Sequence, residues 1–544
     1  MIAALLFIAS GPAPRASERT FPPSVAPPEP VALPTPSVRT LPNGLRVLVV
    51  ERHSLPVVTL RLVVEAGPET DPAGLPGTAQ FAASMLNEGT KRRSPIDIAE
   101  AVDGAGGTFD SNADWDSTFA VLTVLADQTD LAFDLMADIA LHPAFAPSEV
   151  ERTRKQTISA LDVLHNDPGY LADAIIDQTI LAGTPYGHPA DGTLESVKRL
   201  SPQDLAAFHA RRYLPAKSVL AVVGDIAPET AFEQAGRYFG GWQAELSAAA
   251  SGPSSPGCHE SHDTSAERHS EEPKAAKNLL FLSKSGSFAG LRMTSLEASR
   301  EPDAAPRVLI IDKADAVQTE IRVGDAGIPR SSPDYLALTV ANQILGGPAS
   351  NRLFSDLRGE HGLTYSASSD LGCYRTAGTW VAKTSTRTAE TAKAVHRVLD
   401  QMKRMRDRPI TKEELQQAVD YLIGHQALDF ETSAGIADQF LDLMNYRLRL
   451  DTWNDLPTAL RQLTVDDVWQ ATRRYLDPDQ ATIVLVGNAS AFAKDMKKLG
   501  PERVIPIGAL DLSAPGFEGR TGSGQGQVIS GLQTKKALKP TANE

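Results

Sequence analysis

The sequence predicts an α+β protein of two homologous halves, each a mainly antiparallel sheet with helices on one face, joined by a long linker around a chamber. Three observations carry this. RVLVVER at 46–52 returns as RVLIIDK at 307–313. RRYL followed by the run VLAVVGD, ending at Asp225, returns as RRYL followed by TIVLVGN, ending at Asn488. Both pairs are separated by roughly 260 residues, so a whole domain rather than a short motif is duplicated. Finally, strands are followed by runs of helices, the order that packs helices on one face of an antiparallel sheet.

Along the chain, residues 1–37 are expected to be an export signal and spacer. MIAALLFIASGPAPRAS has the apolar stretch and small residues of a cleavable signal but lacks a basic n-region. A periplasmic or otherwise exported protein is the expectation, with a misplaced start codon or a disordered N-terminus in a cytoplasmic protein as the alternatives. FPPSVAPPEPVALPTP at 22–37 is a proline-rich spacer. The N-terminal domain, 38–243, opens with strands at 46–51 and 57–65 around a polar turn. A hairpin over 109–125 is expected to turn at 111–116. Apolar residues spaced by three to four predict helices over 128–140, 147–165, 168–182 and 201–213. The strand SVLAVVGD closes the half. Residues 244–305, rich in Ser, Ala, Glu and Pro, form a low-complexity linker, 306–510 the C-terminal domain, and 511–544 a flexible tail.

Composition narrows the function. With 42% hydrophobic and 22% charged residues, the 544-residue chain is globular rather than disordered or fibrous, and no apolar run is long enough to span a bilayer. A net charge of -14 without a basic patch argues against nucleic acid. Cys258 and Cys373 alone support neither a disulfide framework nor a multi-cysteine metal site, and leave the redox compartment open.

The segment GTAQFAASMLNEGT at 77–90 is similar to the helix on which the pitrilysin/insulinase zinc peptidases carry their inverted motif H-x-x-E-H. That chemistry needs two imidazoles one helical turn apart, a carboxylate between them as general base, and a third ligand from a neighbouring helix. The resemblance places Gln80 and Ser84 at the two histidine positions, Ala83 at the base position, and Ala160, in the following long helix, at the position of the third ligand. None of these side chains suits its task, while Gly77, Phe81, Met85, Leu86, Gly89 and Thr90 keep the family register. Read without the resemblance, this is an ordinary core helix with Phe81, Met85 and Leu86 inside. No metal or other cofactor is expected in this chain.

NRLFSDLRGEHGLTYSASSDL at 351–371 resembles the family segment carrying an arginine and a tyrosine seven residues apart, matched here by Arg358 and Tyr365. The resemblance implies that both donate hydrogen bonds to the substrate carbonyl, the arginine as a permanent charge and the tyrosine as a neutral phenol. The alternative pairs Arg358 with Asp356 or Glu360 on a solvated face and buries Tyr365 in a strand.

Other candidates carry less. Cys258, His259 and His262 in CHESH lie in the linker without a second ligand cluster, His188 reads as a loop residue, and the edge beginning at GGTF, 106–109, suits an extended peptide or is a plain hairpin. Together these imply a non-catalytic subunit, a pseudo-peptidase on its own, paired in a heterodimer with a homologous H-x-x-E-H-bearing subunit that holds the zinc, and acting on unfolded peptides. The alternatives are a scaffold of the same fold without a role in proteolysis and, more remotely, a self-sufficient zinc peptidase.

Overall fold

The computed structural model describes Pro28, Val31 and residues 33–243, 307–348 and 351–519. The expected export signal, the whole linker with Cys258, His259 and His262, and the tail after 519 lie outside these residues. In the first half the strands are β1 (Ser37–Thr40), β2 (Arg46–Glu51), β3 (Val57–Val64), β4 (Thr108–Asp114), β5 (Ser117–Leu125) and β6 (Ser218–Gly224); in the second they are β7 (Val308–Asp312), β8 (Gln318–Ala326), β9 (Ala367–Cys373), β10 (Gly378–Arg387), β11 (Thr482–Gly487) and β12 (Glu502–Pro506).

Each half is a six-stranded sheet, ordered β1-β2-β6-β3-β5-β4 and β12-β7-β11-β8-β10-β9. Five strands correspond one to one, including the parallel pairs β2–β6 and β7–β11 within otherwise largely antiparallel ladders. The sixth breaks the repeat. β1 is an N-terminal strand antiparallel to β2, whereas β12 comes from the C-terminal end and runs parallel to β7.

The expected helices form at Thr129–Leu141, Pro147–Leu164, Pro168–Ile180 and Pro202–Arg212. Three sequence readings need correction. The hairpin turns at Trp115–Asp116 rather than over 111–116, because the polar residues before it continue an edge strand with alternating exposure. The spacer is anchored before residue 38, with Leu33 buried and its N–H donating to Asn454 Oδ1 at 2.8 Å. The tail stays packed as far as 519, with Leu512 buried.

Side-chain alternation along the strands explains how the halves join. Val47, Val49, Leu60, Leu62, Leu220 and Val222 face the helices of their own half. Their neighbours Leu48, Val50, Val63, Val219, Ala221 and Val223 face the other way, onto Ile436, Ala437, Phe440, Leu441 and Met444 of the second half's helix Ser433–Asn445. The second sheet is covered reciprocally: Leu309, Ile311, Val484 and Val486 pack on Leu171, Ala172, Ile175 and Ile176 of the first half's helix Pro168–Ile180. Each half therefore lends one helix to the other. A fully buried side chain of this size contributes about 1.5–3 kcal/mol, so the exchange binds the halves strongly.

The same relation appears in charge. Arg61 on β3 reaches Asp438 on the borrowed helix at 2.6 Å, and Arg322, at the equivalent place on β8, reaches Asp173 on the other borrowed helix at 2.7 Å. A third contact joins the hairpin turns. Arg375, between β9 and β10, gives its backbone N–H to Asp116 Oδ2 (2.8 Å) and its guanidinium to the Asp116 carbonyl (3.0 Å), Asn445 Oδ1 (2.8 Å) and Glu69 Oε1 (3.4 Å). Tyr186 and Tyr446 donate to the Asp116 carboxylate at 2.7 and 3.1 Å.

Burial and then the Asp116 charge push the Glu69 carboxyl up from the ordinary 4.5 to about 8, against the pull of Arg375. Between those values the folded protein holds a proton that the unfolded chain has released. Stability therefore falls as pH rises through this window, by up to about 1.4 kcal/mol per unit from this group. Urea unfolding at pH 6 and pH 8 should show the lower midpoint at pH 8, with a smaller difference in Glu69→Gln.

Candidate functional site

The helix Thr78–Ser84 starts where Asp71 accepts from the backbone N–H groups of Gly77 (2.6 Å) and Ala79 (2.8 Å), occupying donors that a helix N-terminus leaves free. Residue 77 has to be glycine: its φ is +85°, and an added Cβ would lie 2.7 Å from the Cα of Gly192. Phe81, Ala82, Met85 and Leu86 enter the core, which leaves Gln80 and Ser84 on the half-buried face one turn apart.

Ser84 and Ala160 meet in one open cavity of about 400 Å³, with Glu88, Ser111, Thr153 and Gln156 also on its walls. Two positions far apart in sequence are thus brought together. The donor set does not fit zinc. The Ser84 hydroxyl donates to the Phe81 carbonyl at 2.8 Å, Ala83 is fully buried, and Ala83 and Ala160 carry no side-chain donor atoms. Glu88 is paired with Arg152. Gln80 turns to the neighbouring edge strand, giving its amide N–H to Asn112 Oδ1 at 2.5 Å.

That strand, β4, is the outermost strand of its sheet. Its two-residue turn makes Asp114 and Ser117 the closing pair, so the backbone groups of Phe109, Ser111 and Ala113 point away from β5. Those of Phe109 and Ser111 have no partner among the described residues.

In the second half, Asn351 caps the helix Arg352–Phe354, which widens into a π-helical stretch over Ser355–Glu360 carrying Arg358. The chain reverses through Gly362, with φ +59°, and returns Tyr365 to Arg358. The guanidinium lies 4.6 Å from the Tyr365 ring centre and donates to the Tyr365 carbonyl at 3.1 Å. Tyr365 is 82% exposed and precedes β9, so the reading that buries it in a strand fails. The pairing of Arg358 with Asp356 fails as well, because Asp356 is held by Arg397, with Nε at 2.8 Å. Arg358 and Tyr365 are therefore together and open, but the cavity at Ser84 and Ala160 is lined by the first half alone.

His188 is a satisfied loop residue, its ring nitrogens at 3.2 Å from the Pro189 carbonyl and 3.0 Å from the Pro68 carbonyl. Among the described residues only Asp356, Glu360 and His361 gather as a potential metal-ligand trio, and Arg397 already occupies both Asp356 oxygens. No helix among the described residues is long and apolar enough to cross a membrane.

Two family models match in tandem. The insulinase (peptidase family M16) model matches residues 46–193 and the peptidase M16 inactive domain model matches residues 199–422, together more than half of the chain. The chain belongs to the insulinase family of peptidases. It is 28% identical over 342 residues to an uncharacterized zinc protease of Mycobacterium leprae, an alignment spanning 62% of this chain and 66% of that relative. An uncharacterized zinc protease of Streptomyces coelicolor is 24% identical over 437 residues, covering 80% and 86% of the two chains. Among solved structures, the peptidase M16 inactive domain from Pseudomonas fluorescens superposes with a TM-score of 0.68 at 26% identity, covering 83% of this chain and 98% of that one. Within this family the two sheets and their helices form the two expected halves.

Sequence reasoning missed Asn112, the partner of Gln80, and the arginines that hold the borrowed helices. A signal for the latter was present, since Arg61 and Arg322 each interrupt an apolar strand at corresponding places in the two halves.

Proposed function

We propose that this chain is the non-catalytic subunit of a two-subunit zinc peptidase, binding extended peptide and presenting Arg358 and Tyr365 to the substrate carbonyl at a partner's zinc site. The contrast between two surfaces carries the reading. The cavity equivalent to the family's zinc site offers no set of ligands, whereas the arginine–tyrosine pair is exposed, pre-assembled and free of competing carboxylates. A scaffold has no use for an open pair of oxyanion donors. The partner is a homologous subunit with an intact H-x-x-E-H helix, and the substrate is an unfolded peptide whose main chain pairs with the outer edge of β4.

The test is reconstitution with such a subunit encoded beside this gene. Alone, the chain is expected to carry no stoichiometric zinc and to leave peptides uncut; on mixing, a heterodimer forms and cleavage appears. If both proteins stay monomeric by light scattering and inert when mixed, the scaffold alternative replaces this reading. One tightly held zinc per chain, retained after Cys258, His259 and His262 are changed, would also overturn it.

A further inference from the structure

We infer that Gln80, at the first of the two histidine positions, has become half of a clip that closes the peptide edge of β4 at Ala113. The inference rests on the reading of that edge as a peptide-binding strand. Of the three outward-facing N–H groups, those of Phe109 and Ser111 have no partner among the described residues. The third, on Ala113, is shared between Asn112 Oδ1 at 2.9 Å and Gln80 Oε1 at 3.3 Å. The Gln80 amide N–H in turn donates to Asn112 Oδ1, so the two side chains hold each other across the strand edge.

An added strand needs the Ala113 N–H for one of its own carbonyls, and the clip competes for it. A peptide pairing only with Phe109 and Ser111 meets no competition. One that continues past them must displace both amides. Beyond the clip lie Asp114 and Trp115, which line a cavity of about 550 Å³ between the halves together with Asp438 and Asp442. The clip therefore separates a permissive part of the edge, beside the Ser84 cavity, from the route to the cavity between the halves. Asn112 is exposed and Gln80 half-buried, so opening takes rotation about side-chain torsions. Gln80 thus donates to Asn112 through Nε2 and accepts from the Ala113 N–H through Oε1.

The experiment uses the full chain and its Gln80→Ala/Asn112→Ala variant, with fluorescein-labelled β-casein as an unfolded probe. Gln80→Met/Asn112→Ala, which keeps side-chain bulk, guards against a folding defect. Without probe, the Ala113 amide is expected to exchange with deuterium faster in both variants than in the wild type. Anisotropy titrations should then show casein bound about fivefold more tightly, the scale of one released hydrogen bond. Equal exchange at Ala113, or unchanged affinity with binding intact, removes the clip and leaves the peptide edge standing. Faster exchange with no casein binding by any of the proteins removes the peptide edge and the inference with it.

Discussion

Tyr365→Phe in this subunit, assembled with an unaltered catalytic partner, is expected to lower kcat about a hundredfold while KM and assembly stay nearly unchanged. The reason is differential. A donor that tightens its hydrogen bond only as the carbonyl becomes tetrahedral lowers the barrier without stabilising the bound substrate, so its removal falls on turnover. The structure makes this substitution a clean one. Tyr365 is 82% exposed, so loss of one hydroxyl costs no core packing, and its ring remains available to the Arg358 guanidinium. Arg358→Ala should act in the same direction but also removes the hydrogen bond to the Tyr365 carbonyl that orders the segment. Single-turnover kinetics on a fluorogenic peptide separate the outcomes. Unchanged turnover in Tyr365→Phe with an intact heterodimer would exclude the phenol from the reaction.

Arg375→Ala is expected to cost about 2–4 kcal/mol of stability, because the guanidinium's hydrogen bonds to the Asp116 carbonyl, Asn445 and Glu69 are lost together, each worth about 0.5–1.5 kcal/mol. Asp116 is only 1% exposed; its carboxylate keeps the two tyrosine hydroxyls and one backbone N–H in the variant, while its carbonyl and Asn445 Oδ1 lose the guanidinium. Glu69 adds less to the loss, because its raised pKa lets it take up a proton instead of remaining charged. The same reasoning predicts that Glu69→Gln, which removes the carboxyl paired with the guanidinium, recovers part of the lost stability in the Arg375→Ala background. Denaturant unfolding of the wild type, Arg375→Ala and the compensated variant at pH 7.5 checks both statements. If Arg375→Ala unfolds like the wild type, the contact between the hairpin turns is ornamental and the borrowed helices alone hold the halves.

Much of the candidate site was legible because it depends on register. The resemblance to the family placed Gln80, Ala83 and Ser84 because Gly77, Phe81, Met85, Leu86, Gly89 and Thr90 keep its register, and it placed Arg358 and Tyr365 through the segment that encloses them. The state of those side chains was not legible. Whether Arg358 pairs with Asp356 or stays open is decided by Arg397, which lies on a different helix and takes Asp356 for itself. Whether residues 111–114 form a turn or a strand was obscured by their polarity, which an edge strand with one open face tolerates.

The sequence by itself determined the duplication, the α+β layering and the main strands and helices of the first half, because all three follow from local periodicity and internal repetition. It also determined which positions can supply chemistry, since an alanine has no ligand atom in any fold. Only the tertiary structure decided how the halves join. The runs VLVV and VLAVV are apolar on both faces and so require cover on both, but nothing local says which segment supplies the second cover. The amphipathic helices Pro168–Ile180 and Ser433–Asn445 read like any others in their own halves. Their exchange is fixed by long-range burial and by the pairings of Arg322 with Asp173 and Arg61 with Asp438, interactions between residues too far apart in the chain for any periodicity to register.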